Sequence, residues 1–310
     1  MTTPVWRHIL SGIKSVFIAP PLGTGGTNSA SYCYSVYLRH LVSADHHGLT
    51  TNPRKVIELG PGDSIGIGLM AILTGAEQYY AIDQVRHASR ATNLLIFDEL
   101  VKLLTAETPI PSGGNFSEIL PELKDYSFPS KILNKERLTK TLTTDRLSRL
   151  RMTLESDLIT GPICYLTQMG RMNEIPINSI DLIISQAVME HVDNLEETYV
   201  ECFRCLKPGG FMSHQIDLRC HGTALEWNGH WKYSDFIWGL MRGGRPWFIN
   251  RSPCSVHTTL INQIGFKIHA EIKRFANSGI SRRQLSDRFK KISENDLTTD
   301  SVLLLASKVL

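Results

Sequence analysis

The apolar residues of this chain fall into short continuous runs that alternate with stretches of helical spacing. Residues 56–59 and 78–82 are runs of strand length, and apolar residues recur every three or four positions from 65 to 73. The turn Gly60-Pro61-Gly62 separates the first run from the helical stretch. This order predicts a strand, a glycine turn, a helix and a second strand, a unit typical of α/β domains.

The same alternation returns in the second half of the chain. Residues 161–166, 182–184 and 211–216 predict further strands, and residues 195–206 predict a helix before the last of these. The helix is followed by Lys207-Pro208-Gly209-Gly210, where proline forbids its continuation and glycine supplies the left-handed cap. Two more strands are predicted at 264–275 and 301–306, so the strands together predict one large sheet.

Residues 1–50 precede this sheet and contain one clear helical pattern, with apolar residues at positions 34, 37, 38, 41 and 42. We interpret this segment as a helical lid in front of the sheet. Tyr34, Tyr37, Arg39 and His40 would then line a pocket beneath the lid. The alternative is a helix that only packs against the core. The remaining residues, 51–310, form the main domain.

The pattern of the sheet is interrupted between about positions 87 and 160. Residues 91–105 have helical spacing, residues 116–126 predict a short helical piece, and leucines recur from position 138 to position 154. A linker would lack such a stripe of leucines. The stretch therefore predicts a helical cap that is inserted into the main domain.

Composition and charge exclude several classes of function. The 310 residues are 42% hydrophobic, which is enough for a sizeable core, and the net charge is only +3. Since no lysine- or arginine-rich block stands out beyond residues 281–284, we expect no nucleic-acid partner. We also expect no membrane span and no signal peptide, because no apolar run has the required length.

The six cysteines are scattered along the chain. Cys202 and Cys205 form a Cys-x-x-Cys pair, but the pair lies in a predicted helix and no second pair completes a zinc site. Free thiols are therefore the better interpretation, and they fit a reducing cytoplasm. The pair His46-His47 lacks a carboxylate at helical spacing, so we expect no metal site there either.

Candidate chemistry concentrates at the glycine turn. Glycine lets the backbone approach a ligand closely, and the helix start beyond it offers free N–H groups. Asp83 stands at the tip of the second strand, where a carboxylate can accept hydrogen bonds from ribose hydroxyls. A dinucleotide fingerprint would need a third glycine at position 65, which is isoleucine, and Gly66 comes one place late.

The string from Glu58 to Gly62 resembles motif I of class I S-adenosylmethionine-dependent methyltransferases, an acid-x-Gly-x-Gly pattern. Ser64 stands where that motif often has a third glycine, and serine can still cap the helix. Residues 185–192 and the turn at 207–210 also resemble this family, and the resemblance covers roughly residues 54–86 and 161–217. The N-terminal segment and the insertion are reminiscent of an uncharacterised subgroup with a similar helix ahead of motif I.

The resemblance implies a Rossmann-like, seven-stranded and mostly parallel sheet with a reversed last strand. It also implies S-adenosyl-L-methionine as the cofactor, with its methionine part at the glycine turn, its ribose at Asp83 and its adenine at backbone groups before the fourth strand. The end of that strand would face the acceptor. The matching positions are Glu58, Gly60, Pro61, Gly62, Ser64, Asp83, Gln84, Arg171, Met172, Ser185, Gln186 and Ala187.

The resemblance further implies a small-molecule acceptor, for which we favour a hydroxyl of a sugar, glycan or natural product. A hydroxyl benefits from a general base, and the candidates after the fifth strand are His214, Asp217 and His221. At strand period His214 and Asp217 point to opposite faces, unless Asp217 ends the strand. A neutral, buried His214 and a loosely spaced set of metal ligands are the alternatives.

Aromatic residues cluster between positions 227 and 251 and predict either core packing or an acceptor pocket behind the fifth strand. Predicted acceptor contacts combine this cluster with the lid and the Glu-His pair: Tyr34, Tyr37, His40, His191, Trp231 and Arg251. Two other functions stay open, a nicotinamide-dependent oxidoreductase on a related fold and a non-catalytic binding module. The oligomeric state also stays open, a homodimer included.

Overall fold

A sheet of seven strands lies at the centre of the computed structural model, which describes residues 4–18, 26–156, 158, 161–245 and 247–309. The strands follow the order β3-β2-β1-β4-β5-β7-β6 within this part of the chain. Their bounds are β1 Lys55–Leu59, β2 Gln78–Asp83, β3 Ile163–Thr167, β4 Ile180–Gln186, β5 Leu206–Asp217, β6 Phe266–Phe275 and β7 Thr299–Lys308.

Strand direction follows a simple rule in this sheet. Neighbours from β3 to β5 pair in parallel, whereas β7 runs antiparallel to both β5 and β6. The expected mostly parallel sheet with a reversed last strand is therefore confirmed. The chain reverses its direction of progress between β1 and β4, and ligands of open α/β sheets bind at the carboxyl ends of the strands at such a point.

Helices cover both faces of the sheet. One hydrophobic core joins α2, α3 and α4 to one face, and a second joins α7 and α9 to the other. The bounds are α1 Val5–Phe17, α2 Ala30–His46, α3 Gly66–Leu73, α4 Arg90–Thr105, α5 Lys135–Thr141, α6 Thr144–Leu154, α7 Leu195–Cys205, α8 Asp235–Arg242, α9 Cys254–Ile264 and α10 Glu294–Thr298. No helix in the described ranges has the length and apolar character of a membrane span.

The predicted N-terminal helix exists as α2, but it is a core helix. Twelve of its 17 residues are buried, and it packs against α3 and α4. Ser29 begins it by accepting a hydrogen bond from the backbone N–H of Tyr32. The burial therefore favours the alternative of a packing helix over the lid. Ahead of it, α1 packs against α8.

The insertion contains the expected helices α4, α5 and α6, but it packs behind α3. The guanidinium of Arg137 donates to the carbonyl of Thr74 at 2.6 Å, and that of Arg146 donates to the carbonyl of Ile72 at 2.7 Å. These arginines satisfy the free carbonyls at the end of α3. Helices α5 and α6 thus stabilise the end of α3 that lies away from the glycine turn.

The short helix expected at 116–126 is wrong, because regular structure there is limited to a 3-10 turn at Gly114–Phe116. Pro121 lacks an N–H and does not favour a helix interior. The freed carbonyls of Ile119 and Pro121 accept hydrogen bonds from the buried Arg39 guanidinium at 2.6 and 3.0 Å. Arg39 therefore supports the insertion and does not line a pocket.

Candidate active site

A cleft of about 500 Å³ opens at the carboxyl ends of β1, β2 and β4, where the fold predicts a ligand. One wall comes from the glycine turn and the end of β2, and the other comes from the loop after β4 and the start of α7. The lining residues are Gly60, Ile82, Asp83, Gln84, Met172, Asn173, Val188, His191, Val192, Asp193, Asn194, Glu197, Thr198, Glu201 and Trp247. The sequence predicted five of these: Gly60, Asp83, Gln84, Met172 and His191.

The glycine turn has the backbone conformation that its sequence suggests. Gly60 and Gly62 have φ values of +65° and +69°, which favour glycine. A Cβ on Gly60 would lie 2.5 Å from Cγ2 of Val188, so the turn and the loop after β4 nearly touch. Glycine is therefore required here both by the backbone conformation and by the narrowness of the cleft.

Thr27 holds this turn in place from outside the predicted motif. Its hydroxyl donates to the carbonyl of Pro61 at 2.6 Å, and its carbonyl accepts from the Ser64 hydroxyl at 2.5 Å. The Ser64 oxygen also accepts from the N–H of Gly66 at 3.1 Å, but the N-cap residue of α3 is Ile65, so the expected serine cap lies one residue too early. Pro61 and Ser64 thus shape the turn, and neither lines the cleft.

The expectation that Glu58 approaches the cofactor is corrected by its burial. One oxygen of its carboxylate accepts from the Tyr79 hydroxyl at 2.5 Å and from the N–H of Gly68 at 3.0 Å. The side chain is only 2% exposed and lies beneath the turn. Burial raises the pKa of Glu58 to about 8. Glu58 therefore joins β1, β2 and α3 without touching the cleft.

This raised pKa predicts a pH-dependent stability. The folded protein keeps a proton that an unfolded Glu58 releases above about pH 4.5. The stabilisation of the folded state by this proton is complete below pH 4.5 and is lost as the pH rises towards 8. We expect the free energy of unfolding to fall between pH 5 and 8 by on the order of 4 kcal/mol more in the native protein than in Glu58→Gln. Urea denaturation of both proteins measures this, and equal pH dependence would contradict it.

Asp83 lies at the end of β2 with its carboxylate directed towards the glycine turn. One oxygen accepts from the N–H of Gln84 at 2.8 Å, and the other accepts from the N–H of Gly62 at 3.4 Å. Burial raises the pKa of Asp83, while these backbone bonds oppose the shift. Each oxygen keeps a free lone pair, so the carboxylate can accept two further hydrogen bonds from a ligand.

The expected adenine contacts of Arg171 and Met172 are not supported, since Arg171 does not line the cleft and one backbone group of each residue already has a partner. The Arg171 N–H donates to Gln168, and the Met172 carbonyl accepts from Arg204 at 2.5 Å. Of these two residues, only Met172 lines the cleft. The next residue, Asn173, is exposed and lines the same wall, which makes it the polar side chain nearest in sequence to the family's usual adenine position.

The structure does not bring Ser185, Gln186 and Ala187 to the cleft. The Ser185 hydroxyl bonds to Nδ1 of His214 at 2.7 Å in the core. The Gln186 side chain lies between Gln215, at 2.6 Å, and Nε2 of His40, at 3.2 Å. Ala187 pairs through its N–H with the Gln215 carbonyl. The cleft instead begins one residue later, at Val188.

His214 and Asp217 do not form a catalytic pair at the cleft. His214 is fully buried against the α7–α9 layer, and burial lowers its pKa to about 3. Asp217 accepts two hydrogen bonds from the Arg219 guanidinium, at 2.8 and 2.6 Å, which help to hold its pKa low. The neutral, buried histidine that was the alternative for His214 is thus the observed state.

Five of the six predicted acceptor contacts lie in the core. The Tyr34 hydroxyl donates to the Thr108 carbonyl at 2.6 Å, and the Tyr37 hydroxyl accepts from the Thr74 hydroxyl at 3.1 Å. His40 is buried as well, and its Nδ1 bonds to Ser213 at 2.6 Å.

The aromatic cluster supplies one cleft residue, but not the expected one. Trp231 is fully buried and donates to the Arg251 carbonyl at 2.9 Å, while Arg251 is 3% exposed and donates to the Tyr233 carbonyl at 2.7 Å. Both predicted contacts are therefore corrected to core residues. Trp247 lines the cleft instead, and the sequence signal for it was only its membership of the cluster.

His191 is the histidine at the cleft. Its Nδ1 lies 2.8 Å from the Trp247 carbonyl, and because a carbonyl can only accept, Nδ1 carries the proton and Nε2 keeps a free lone pair. Burial lowers the pKa of His191 to about 4, so the ring is neutral at pH 7. The ring of His221 packs edge-on at 5.1 Å. Of the three predicted catalytic residues, only His221 lies beside a cleft histidine.

The cleft fits S-adenosyl-L-methionine in size and in chemistry. Its volume lies in the range of small-molecule sites, and it combines a glycine turn without side chains with an acid that can accept from two hydroxyls. Within the cleft, Asp83 would hold the ribose, and the backbone of Gly60 would allow the close approach of the methionine part. The other residues predicted here as cofactor contacts, Glu58, Pro61, Gly62 and Ser64, do not line the cleft.

Residues 142–213 match the model of a family described as a methyltransferase domain. No curated protein matches the sequence. Among solved structures, phosphoethanolamine N-methyltransferase 2 from Haemonchus contortus, in complex with S-adenosyl-L-methionine, is 13% identical, and the match covers 96% of this chain and 60% of that one with a TM-score of 0.45. An S-adenosylmethionine-dependent methyltransferase from Mesorhizobium loti is 13% identical, with 82% and 90% covered and a TM-score of 0.39.

The family match covers α6, β3, β4, α7 and β5 as far as Ser213, and the loop after β4 in this segment forms one wall of the cleft. The reversed β7 between β5 and β6 completes the sheet. The family match and the reversed β7 both argue against a nicotinamide-dependent oxidoreductase. Residues 142–213 are thus similar to a methyltransferase domain, and the order of the sheet is the one expected of a class I S-adenosylmethionine-dependent methyltransferase.

Proposed function

We propose that this methyltransferase acts on a hydroxyl of a small molecule that binds against His191 and Trp247. The observation that carries the proposal is the neutral His191 ring, whose Nδ1 donates to the Trp247 carbonyl and whose Nε2 lone pair is free. Such a lone pair can accept the proton of a hydroxyl. An amine acceptor that enters as a free base needs no such group before methyl transfer.

When bound, S-adenosylmethionine would supply a methyl group on a positively charged sulfur, and the acceptor hydroxyl would have to release its proton on accepting that group. The residues of this chain position the cofactor and the acceptor and exclude water from them. Asp83 fixes the ribose, the Gly60 turn admits the tail, and Val188 narrows the cleft between them.

All six cysteines are free, which supports a reducing compartment such as the cytoplasm.

Asn173 is our candidate for the adenine contact, since its exposed side chain lines the cleft and the backbone of Arg171 and Met172 is engaged. Asn173→Ala should weaken cofactor binding by about fivefold, the value of one hydrogen bond of about 1 kcal/mol. Isothermal calorimetry with S-adenosylmethionine measures the change. Asn178→Ala, outside the cleft, is the control, and an unchanged affinity of Asn173→Ala would remove this contact.

A methyl-transfer screen tests the proposed acceptor. The protein is incubated with methyl-labelled S-adenosylmethionine and matched sets of alcohols, sugars, phenols, amines and carbon acids, and labelled products are identified by mass spectrometry. We expect label on oxygen. The exposed carboxylates of Asp193 and Glu197 and the half-buried carboxylate of Glu201 line the cleft and favour a cationic amine as the second candidate.

Label on nitrogen or carbon, with none on oxygen, would overturn the hydroxyl acceptor and leave the cofactor site standing. Absence of S-adenosylmethionine binding at millimolar concentration would overturn methyl transfer itself and favour the non-catalytic binding module. The two failures are therefore distinguishable.

A further inference from the structure

Three potential metal ligands meet on the wall of the cleft that carries His191. Glu190, His191 and His221 each bring one ligand atom to a site in which all three atoms lie within 4.8 Å of one another. Glu190 and His191 follow β4, and His221 follows β5. Because β4 and β5 are parallel neighbours, their carboxyl ends place these residues side by side.

Glu190 is the least explained of these residues. Its side chain is 2% exposed, and neither carboxylate oxygen has a hydrogen bond of normal geometry among the described residues, although the backbone N–H groups of Glu190 and Asp217 lie nearby. A buried carboxylate without a donor is costly, and native structures rarely leave one unsatisfied. A cation at this place would satisfy both oxygens.

The two histidines are oriented as metal ligands usually are. Ligating histidines almost always donate their other ring nitrogen to a carbonyl or carboxylate, and Nδ1 of His191 donates to the Trp247 carbonyl. His221 has φ of +47°, an uncommon conformation outside glycine that costs about 1 kcal/mol or more. This conformation places the His221 ring edge-on to His191, with its side chain 32% exposed.

The charged groups around the cluster leave room for a cation. The nearest other carboxylate, Asp217, lies 3.5 Å from Nε2 of His221 and is engaged by Arg219. The Arg219 guanidinium is in turn shared with Glu118. The positive charge of Arg219 is thus balanced by two acids, while Glu190 has no cation of its own within the described part of the chain.

We propose that Glu190, His191 and His221 bind a divalent transition-metal ion, such as Zn²⁺ or Mn²⁺, at the wall of the methyl-transfer cleft. Two imidazoles and one carboxylate are a common ligand set for such ions when one position stays open for water or substrate. This proposal does not depend on which acceptor is methylated.

The role of the ion does rest on the proposed hydroxyl acceptor. An ion held by His191 would take up the Nε2 lone pair and would bind the acceptor oxygen in its open position, which eases release of the hydroxyl proton to water. Either the free imidazole or the ion then promotes the same loss of a proton.

Titration of the full-length protein with metal salts tests the site. The protein is first treated with a chelator and dialysed, and ZnCl₂, MnCl₂ or CoCl₂ is then added without cofactor or acceptor in calorimetry. We expect one ion per chain, and binding weakened at least about tenfold in Glu190→Gln and in His221→Asn. Asparagine tolerates the φ of His221, so the second variant removes the imidazole without new strain.

His46→Ala is the matched control, because His46 is exposed at the end of α2 and should leave metal binding unchanged. The visible spectrum of the Co²⁺ form gives a second readout, which should change in His221→Asn. No stoichiometric binding up to about 1 mM metal, or binding that both variants leave unchanged, would overturn the metal site. Normal S-adenosylmethionine binding in His221→Asn shows that such a failure concerns the metal alone.

Discussion

Asp83→Ala is expected to weaken the binding of S-adenosylmethionine by about 100-fold. The Asp83 carboxylate lies at the cleft, and its two oxygens can each accept one further hydrogen bond. Hydrogen bonds to a charged group contribute about 1.5–3 kcal/mol each, and about 2.7 kcal/mol corresponds to 100-fold. Calorimetric titration of the purified variant with S-adenosylmethionine measures the loss.

Two further variants make this result specific. Asp83→Asn keeps one acceptor oxygen and should lose only about tenfold, since one charged bond is replaced by a neutral one. Glu77→Gln removes an exposed acid just before the opposite end of β2 and should leave the affinity unchanged. A dissociation constant for Asp83→Ala within about twofold of the native value would contradict the ribose assignment.

Gly68→Ala is expected to destabilise the fold by about 4 kcal/mol or to prevent folding. A Cβ at this position would lie 2.0 Å from Cζ of Tyr79, inside the space of a fully buried ring. Moving that ring would also break the Tyr79 hydrogen bond to Glu58. Overpacking costs about 1–3 kcal/mol, and a broken buried bond to a carboxyl group adds a comparable amount.

Urea denaturation measures this loss, with Gly239→Ala as the matched control. Gly239 lies inside helix α8 with open space around its Cα, so alanine there should be neutral or slightly stabilising. If Gly68→Ala does not fold, the double variant Gly68→Ala/Tyr79→Leu should fold, because the shorter side chain leaves room for the Cβ. A loss below about 1 kcal/mol in Gly68→Ala alone would contradict the close contact.

Local signals in the sequence predicted the frame of the site. An apolar run such as residues 56–59 predicts a buried strand without reference to the rest of the chain. The backbone conformation of the turn requires the glycines that it contains. The end of a parallel strand beside such a turn faces the ligand edge of the sheet, which is why Asp83 was found at the cleft. These predictions depend on neighbours only a few residues apart.

Side chains outside this frame were harder to assign. His214 and His191 are both histidines near strand ends, yet one is sealed in the core and the other lines the cleft. Trp231 and Trp247 differ in the same way within one aromatic cluster. Sequence spacing says which residues share a face, but not which face meets a neighbour and which faces the cleft.

The sequence by itself determined the strands, the glycine turn, the acid at the tip of β2 and the family that these features resemble. Only the tertiary structure decided that α2 is a core helix, that the insertion lies behind α3, and that Glu190, His191 and His221 meet at one wall. The physical reason is distance along the chain. Backbone conformation is set by nearby residues, whereas burial and side-chain partners are set by elements that packing brings together from tens of residues away.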